Sequence, residues 1–282
     1  MMFQDFARIH GVLIESVRVS NKIQRCPTVN KPKQKNGAYH FDGERGWVFA
    51  WDGEARTEWF GSESRPWTEE EKKEWGRRRT AEKAEVFAKW HAAARQAEQL
   101  IKSARPTEHG YLQLKGFGDQ QGLVTEDGTL LIPMRSVKTG ELQSVQKITW
   151  DEVERHWDKK MLYGGKAKGA VFRLGPKAAA ETFLCEGYAT GLSIAAALRS
   201  VGSDAAVLVC FSAGNLEYVA PVVTGRRFIY ADHDKSGAGE RAAIATGLPY
   251  CMSDVEGHDA NDDHQKLGIF AVAKKLMEVR RK

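Results

Sequence analysis

The last hundred residues alternate between short apolar segments and segments of helical character, and this alternation constrains the fold most. Apolar runs at 182–185, 206–211 and 228–231 predict strands, and the stretches at 189–199, 239–246 and the end of the chain predict helices, the last as one final helix. Strands that alternate with helices in this way form a parallel, doubly wound sheet. The sequence therefore predicts an α/β domain with a largely parallel, Rossmann-like sheet.

Three groups of acidic residues stand at the ends of these predicted elements. Glu186 follows the first strand, Asp232 and Asp234 follow the third, and Asp259 and Asp262 precede the last helix. Because the carboxyl ends of the strands border the functional crevice of such a sheet, we expect these carboxylates to converge. Convergent carboxylates repel one another unless a cation neutralises them, and oxygen ligands suit Mg2+ or Mn2+. Acids also stabilise helix N-termini, so spacing alone leaves a structural role open as well.

In this order, the acidic segments resemble the Toprim domain of DNA primases. The matching motifs are EGYATG at 186–191, DxDxxGxG at 232–239 and GxDxND at 257–262. The form EGYAT is similar to the primases of satellite phages (alpha-protein type) and conjugative plasmids. Upstream segments also resemble the region that precedes Toprim in those proteins, so that the resemblance spans roughly residues 105–282; they are 111–116, 131–135, 140–142 and 164–166.

The resemblance implies a DNA primase, which is a nucleotidyltransferase and a DNA-directed RNA polymerase. Such an enzyme would synthesise short RNA primers on single-stranded DNA by metal-dependent nucleotidyl transfer, for phage- or plasmid-type DNA replication. It implies that Glu186, Asp232 and Asp234 are catalytic. Together with Asp259 and Asp262 they would bind Mg2+ or Mn2+. Residues that would bind ribonucleoside triphosphates or template are basic: Lys115, Arg135, Lys147, Lys159, Lys160, Lys166, Lys168 and Lys235.

Two other functions stay open at this point. A Toprim-family, metal-dependent DNA nuclease would use the same acidic residues. A non-catalytic replication accessory protein that binds single-stranded DNA would keep them only for the fold or for contacts with partners.

An aromatic segment at 37–60 predicts short antiparallel strands with Asp-Gly turns. Trp47, Phe49 and Trp51 would share one face of such a strand. This face is either the core of a small sheet or a platform on which the bases of single-stranded DNA stack. The preceding segment, 18–35, carries six basic residues and no acidic one, and would supply the basic groove that the second alternative needs.

The pattern along the chain predicts four segments. Residues 1–66 form a small β/helical module, 67–105 a long linker helix, 106–178 an α+β subdomain and 179–282 the Toprim domain. A capping box at Thr68 would begin the linker helix. Its buried stripe would consist of Trp75, Val86, Phe87, Trp90, Ala94 and Leu100.

Cysteine usage and missing motifs limit the cofactors and partners. The N-terminal module occupies the position of the zinc ribbon of primases. The four cysteines form no CxxC pair, so this module lacks the zinc ligands of such a ribbon, and we expect no zinc. No GxxxxGK[ST] motif is present, so we expect a separate replicative helicase. No apolar run is long enough to span a bilayer and no secretory signal begins the chain, which predicts a cytoplasmic protein without a membrane partner. A net charge of +5 permits binding to nucleic acid.

Overall fold

The computed structural model describes residues 1–51, 56–61 and 69–281, apart from the side chains of four of them (21, 71, 72 and 75). The predicted cap at Thr68 and the side chain of Trp75 therefore lie outside what is described. Contacts between residues divide the chain into two compact units, Met1–Arg78 and Arg79–Lys282. The finer division into four segments stays a prediction.

The first unit is a small antiparallel sheet with a short helix on one face. Its elements are α1 (Phe3–Ile9), β1 (Ser20–Cys26), β2 (Gly37–Phe41), β3 (Gly46–Ala50) and β4 (Thr57–Phe60). The strands pair in the order β1-β2-β3-β4. Phe3 and Phe6 of α1 pack on Tyr39 and Val48 of the sheet. The core of this unit therefore lies between the helix and one face of the sheet.

A long helix, α2 (Glu69–Ser103), follows. It packs through its C-terminal part, where Ala93 and Ala97 are buried against Leu131 and Val145. Because Ala93 is the first fully buried residue among the described side chains of this helix, the predicted buried stripe is wrong in its first part.

The residues of that stripe fall into two groups. Val86 and Phe87 are exposed, whereas Trp90, Ala94 and Leu100 are half-buried. Ion pairs one helical turn apart stabilise the exposed surface of the helix without tertiary packing. They join Glu74 with Arg78, Glu85 with Lys89, and Glu98 with Lys102.

The second unit is built on one ten-stranded sheet. Its first half is antiparallel and contains β5 (Arg105–Thr107), α3 (Gly110–Leu114), β6 (Gly122–Val124), β7 (Leu130–Ser136), β8 (Leu142–Asp151), β9 (His156–Met161) and β10 (Ala170–Leu174). Its second half contains β11 (Glu181–Cys185), α4 (Tyr188–Ser200), β12 (Ala206–Val209), α5 (Ala213–Val219), β13 (Arg226–Ala231), α6 (Ala238–Thr246), β14 (Tyr250–Met252), α7 (Ala260–Leu267) and α8 (Ile269–Val279).

The second half confirms the predicted α/β domain. Its four strands are parallel and lie in the order β14-β13-β11-β12, and β10 pairs antiparallel with β12, which joins the two halves. Helices cover both faces, since Phe183 packs with Leu192 of α4 and Leu276 of α8, whereas Leu184 packs with α5 and α6. The doubly wound arrangement leaves the carboxyl ends of the strands as one edge.

The chain after the last strand differs from the prediction of a single final helix. Two helices, α7 and α8, meet at Gly268, whose φ is 88°. A left-handed backbone at this residue interrupts the helical hydrogen bonds, and glycine adopts it without steric cost. Among the described residues, no helix combines the length and the apolar character that crossing a membrane requires.

Candidate active site

The sheet brings the first two acidic segments to one edge. Leu184 of β11 pairs in parallel with Ile229 of β13, so Glu186 and Asp232 both leave the sheet at the carboxyl end. Gly239 keeps the start of α6 against this edge. A Cβ atom at Gly239 would lie 2.5 Å from the carbonyl oxygen of Asp232, so only glycine permits so close an approach.

The carboxylate of Asp232 is near enough to those of Asp259, Glu186 and Asp234 for their charges to act on it. Its Oδ1 atom is buried and has no hydrogen-bond partner among the described residues. Burial, followed by the negative charges of Asp259, Glu186 and Asp234, raises the pKa of Asp232 to about 7, against the opposing effect of Lys159. This site therefore carries negative charge that Lys159 offsets only in part.

Glu186 is held by the N-terminus of α5. Its carboxylate accepts a hydrogen bond from the backbone N–H of Ala213, and its carbonyl oxygen accepts one from Phe211 at 2.9 Å. Phe211 has a φ of 67°, a left-handed conformation that is uncommon outside glycine and turns the chain from β12 into α5. Burial and the charge of Asp234 raise the pKa of Glu186, although the hydrogen bond from Ala213 opposes this shift.

Asp234 is stabilised in its charged form by its own loop. Its Oδ1 accepts hydrogen bonds from the hydroxyl of Ser236 at 2.5 Å and from the N–H of Ala238 at 3.4 Å. The bond from Ser236 is the largest of the effects that lower the pKa of Asp234. This carboxylate is therefore ionised at neutral pH.

Asp259 and Asp262 form a capping box at the start of α7. The Oδ1 atom of Asp259 accepts from the N–H groups of Asn261 and Asp262, at 2.6 and 3.0 Å, and Asp262 accepts from the N–H of Asp259. The structural role that spacing left open is thus present. Asp259 also adds negative charge to the crevice, because its charge raises the pKa of Asp232 more than that of any other carboxylate.

Lys159 faces this acidic group from β9. Its ammonium lies 5.3 Å from the centroid of the Tyr111 ring. Although Lys159 keeps exposed surface, the protein around its ammonium lowers its pKa, and Lys115 lowers it further. Asp259 and Asp232 act in the opposite direction. Lys115 and Lys159 thus bring two positive charges to the carboxylates.

The other predicted basic residues do not gather at this point. Lys147 and Lys160 are partners across β8 and β9, and the alternation of side chains places them on the opposite face from Lys159. Lys160 forms an ion pair with Asp158. Lys166 lies 5.0 Å from the centroid of the Trp90 ring, and Lys168 lies 4.7 Å from that of the Tyr218 ring. Arg135 donates a hydrogen bond of 3.2 Å to the carbonyl of Gly140. Lys235 is exposed and follows Asp234 in the chain.

Two residues at the site received no role from the sequence. The hydroxyl of Thr190 donates to Oδ2 of Asp259 at 2.9 Å. The hydroxyl of Tyr111 is buried without a hydrogen-bond partner among the described residues, and burial followed by the charge of Asp259 raises its pKa. Both residues belong to the quoted motifs, which was the available signal, but their contacts depend on the tertiary structure.

The donor set fits a hard divalent cation, although the described residues do not form a preassembled cage. Among them, no three His, Cys, Asp or Glu side chains are grouped so as to hold a metal ion. The fit comes instead from the Oδ1 atom of Asp232, which is buried and lacks a partner within the described ranges, and from the repulsion between this carboxylate and those near it. A cation with oxygen ligands would relieve both.

Comparison with known proteins agrees with this geometry. Residues 181–269 match the family model described as Toprim domain. This segment is a Toprim domain. A solved structure of the DnaG catalytic core is similar over 71% of this chain and 72% of that chain, with 13% sequence identity and a TM-score of 0.37, which is too low to support an assignment. No curated protein matches the sequence.

Proposed function

We propose that this protein is a DNA primase that synthesises short RNA primers on single-stranded DNA by metal-dependent nucleotidyl transfer. Its substrates would be ribonucleoside triphosphates and a DNA template, and it would act in the cytoplasm beside a separate helicase in phage- or plasmid-type replication. The Toprim domain and the motifs upstream of it support this proposal.

The observation that carries the proposal is the buried Oδ1 atom of Asp232, which has no hydrogen-bond partner in the described part of the chain and is close to the charges of Glu186, Asp234 and Asp259. Asp232, Asp234 and Glu186 would hold Mg2+ or Mn2+, while Asp259 would contribute charge and the start of α7, and Asp262 would cap that helix. The chemistry supplied by a bound ion would be a lower pKa of a primer 3′-hydroxyl and compensation of the negative charge on the α-phosphate and the leaving pyrophosphate.

Lys159 and Lys115 supply the positive charge that a triphosphate needs beside the carboxylates. A nucleoside triphosphate is an anion, and the acidic residues repel it unless positive charge stands nearby. Lys159 would bind its phosphates as a charge partner from the position of its ammonium over the Tyr111 ring, and Lys115 would add to the positive potential. This pairing of acids and lysines favours synthesis from triphosphates.

Product analysis tests the proposal. The protein is incubated with single-stranded DNA, labelled ribonucleotides and Mg2+ or Mn2+. Short labelled ribonucleotide products that need both template and metal support primer synthesis. Shortened DNA without labelled product would instead show a Toprim nuclease, and binding without any product would show an accessory protein; either result overturns the proposal.

Two isosteric variants test whether the carboxylates of this site are required for synthesis. Glu186→Gln and Asp232→Asn keep the shape of the side chains and remove their negative charge, so both should abolish synthesis in a protein with an unchanged circular dichroism spectrum. Full synthesis by either variant would exclude this site as the active site.

A further inference from the structure

The face of the N-terminal sheet opposite α1 carries a row of aromatic rings, which we call the aromatic face. It comprises Trp47 and Phe49 of β3, Trp51 at the end of β3 and Trp59 of β4. Trp47 pairs with Trp59 across the two strands, while Val48 between them points to the buried face. Trp51 is 47% exposed and Trp59 is 63% exposed. The aromatic face is therefore distinct from the core of this unit.

Flat side chains are arranged edge to face and in stacks along this surface. The rings of Phe49 and Trp51 are 4.6 Å apart at an angle of 70°, and the rings of His40 and Trp47 are 6.3 Å apart and nearly parallel. The guanidinium of Arg25 lies 3.9 Å above the Trp51 ring. Such rings and guanidinium planes are the groups on which unpaired bases stack.

The neighbouring charge indicates what would cover this face. Segment 18–35 carries six basic residues without an acidic one, and all six are exposed. One of them is Arg25, which the carbonyl of Lys35 holds through a hydrogen bond of 2.9 Å. An apolar partner would gain nothing from these charges, whereas a polyanion would. A duplex keeps its bases inside, so it cannot stack them on the rings.

We infer that the aromatic face binds single-stranded DNA, with bases stacked on Trp51 and Trp59 and with the phosphates near segment 18–35. Stacking of this kind accepts any base, so the binding should show little sequence preference. The inference rests on the first unit alone. It does not require that the Toprim domain synthesise primers.

The test measures binding of the full chain to a labelled single-stranded oligonucleotide without nucleotides or divalent ions. Trp51→Ala and Trp59→Ala should each lower the affinity by about 5- to 150-fold, the range for the loss of one stacked base. Phe270→Ala, at another exposed aromatic residue on α8, is the matched control and should leave the affinity unchanged. Duplex DNA should bind the wild-type protein more weakly than the single strand.

Further measurements separate this inference from the primase proposal and from other occupants. Asp232→Asn should still bind the oligonucleotide, because only the candidate active site is altered. Arg25→Ala should weaken binding and reduce its dependence on salt concentration. Unchanged affinity in both tryptophan variants would overturn the inference. So would sedimentation showing that the wild-type protein self-associates through this face and that Trp51→Ala is monomeric.

Discussion

The hydroxyl of Thr190 and the carboxylate of Asp259 are joined by a hydrogen bond of 2.9 Å. Thr190 lies in the first turn of α4, as the last residue of the segment EGYAT, and Asp259 is the N-cap of α7. This bond therefore connects the first acidic motif with the third. It fixes Oδ2 of Asp259, while the N–H groups of α7 fix Oδ1, so the position of this carboxylate is set before any ligand binds.

Replacement of Thr190 should show how much this hydrogen bond contributes to the free energy of unfolding. Thr190→Val keeps the shape of a fully buried side chain and removes the donor, so the protein should lose about 1–2 kcal/mol of unfolding free energy. Thr190→Ser keeps the hydroxyl and should retain most of the bond. Chemical denaturation measures both. Equal stability of Thr190→Val and the wild type would mean that the bond contributes nothing.

The pH dependence of stability should report the repulsion at Asp232. The pKa of Asp232 is about 7 in the folded protein, against an ordinary value near 3.8, so the folded state binds this proton more tightly than the unfolded state. Stability without metal should therefore be highest below about pH 4 with respect to this group, and it should fall by up to about 4 kcal/mol as the pH rises through 7.

Asp232→Asn removes the group that titrates. At pH 8 without divalent ions this variant should be more stable than the wild type, and its denaturation midpoint should change less between pH 5 and pH 8. A less stable variant at pH 8 would show that the ionised carboxylate is not under repulsion.

Divalent ions should reverse this pattern. Because Mg2+ or Mn2+ competes with protons for the carboxylates, the rise in melting temperature on adding either ion should be larger at pH 8 than at pH 5.5. Thermal unfolding followed by circular dichroism measures it, and Asp234→Asn, which removes one ionised ligand, should show a smaller rise. Equal shifts at both pH values would exclude binding at these carboxylates.

The sequence predicts the features that a few neighbouring residues determine. It does not predict the features that depend on tertiary contacts. The positions of Glu186 and Asp232 followed from apolar runs and their ends, because each pattern is confined to a few residues. Helical periodicity identifies the apolar side of α2, but it does not show how much of that side is covered by the rest of the protein. Phe87 is therefore exposed although the pattern predicts a buried residue. Spacing likewise could not show that Asp259 and Asp262 cap a helix.

Glycine at position 239 should be essential for the local geometry. A methyl group there would meet the backbone oxygen of Asp232 at 2.5 Å, and because a backbone atom cannot swing away, Gly239→Ala should displace Asp232 or unfold the start of α6. We expect a loss of about 1–3 kcal/mol in unfolding free energy and weaker metal binding. Gly214→Ala is the control, since a Cβ atom there meets nothing within 4 Å; it should be neutral or slightly stabilising in α5. Similar losses in both variants would contradict this reasoning.

Adjacent lysines on β9 provide the sharpest comparison at the candidate active site. The ammonium of Lys159 lies over the Tyr111 ring and under the influence of Asp232, whereas Lys160 points to the opposite face and pairs with Asp158. Loss of a charged partner to a phosphate removes about 1.5–3 kcal/mol, so Lys159→Ala should weaken nucleoside triphosphate binding by roughly ten- to a hundred-fold.

The same change at Lys160 removes an equal charge from the protein, so any general effect of net charge appears in both variants. The triphosphate affinity of Lys160→Ala should therefore stay within about two-fold of that of the wild type, because an exposed ion pair contributes little. Titration with a fluorescent, non-hydrolysable triphosphate at constant ionic strength measures both affinities. Equal weakening would place the phosphates away from Lys159, and a larger effect at Lys160 would place them on the other face of β9.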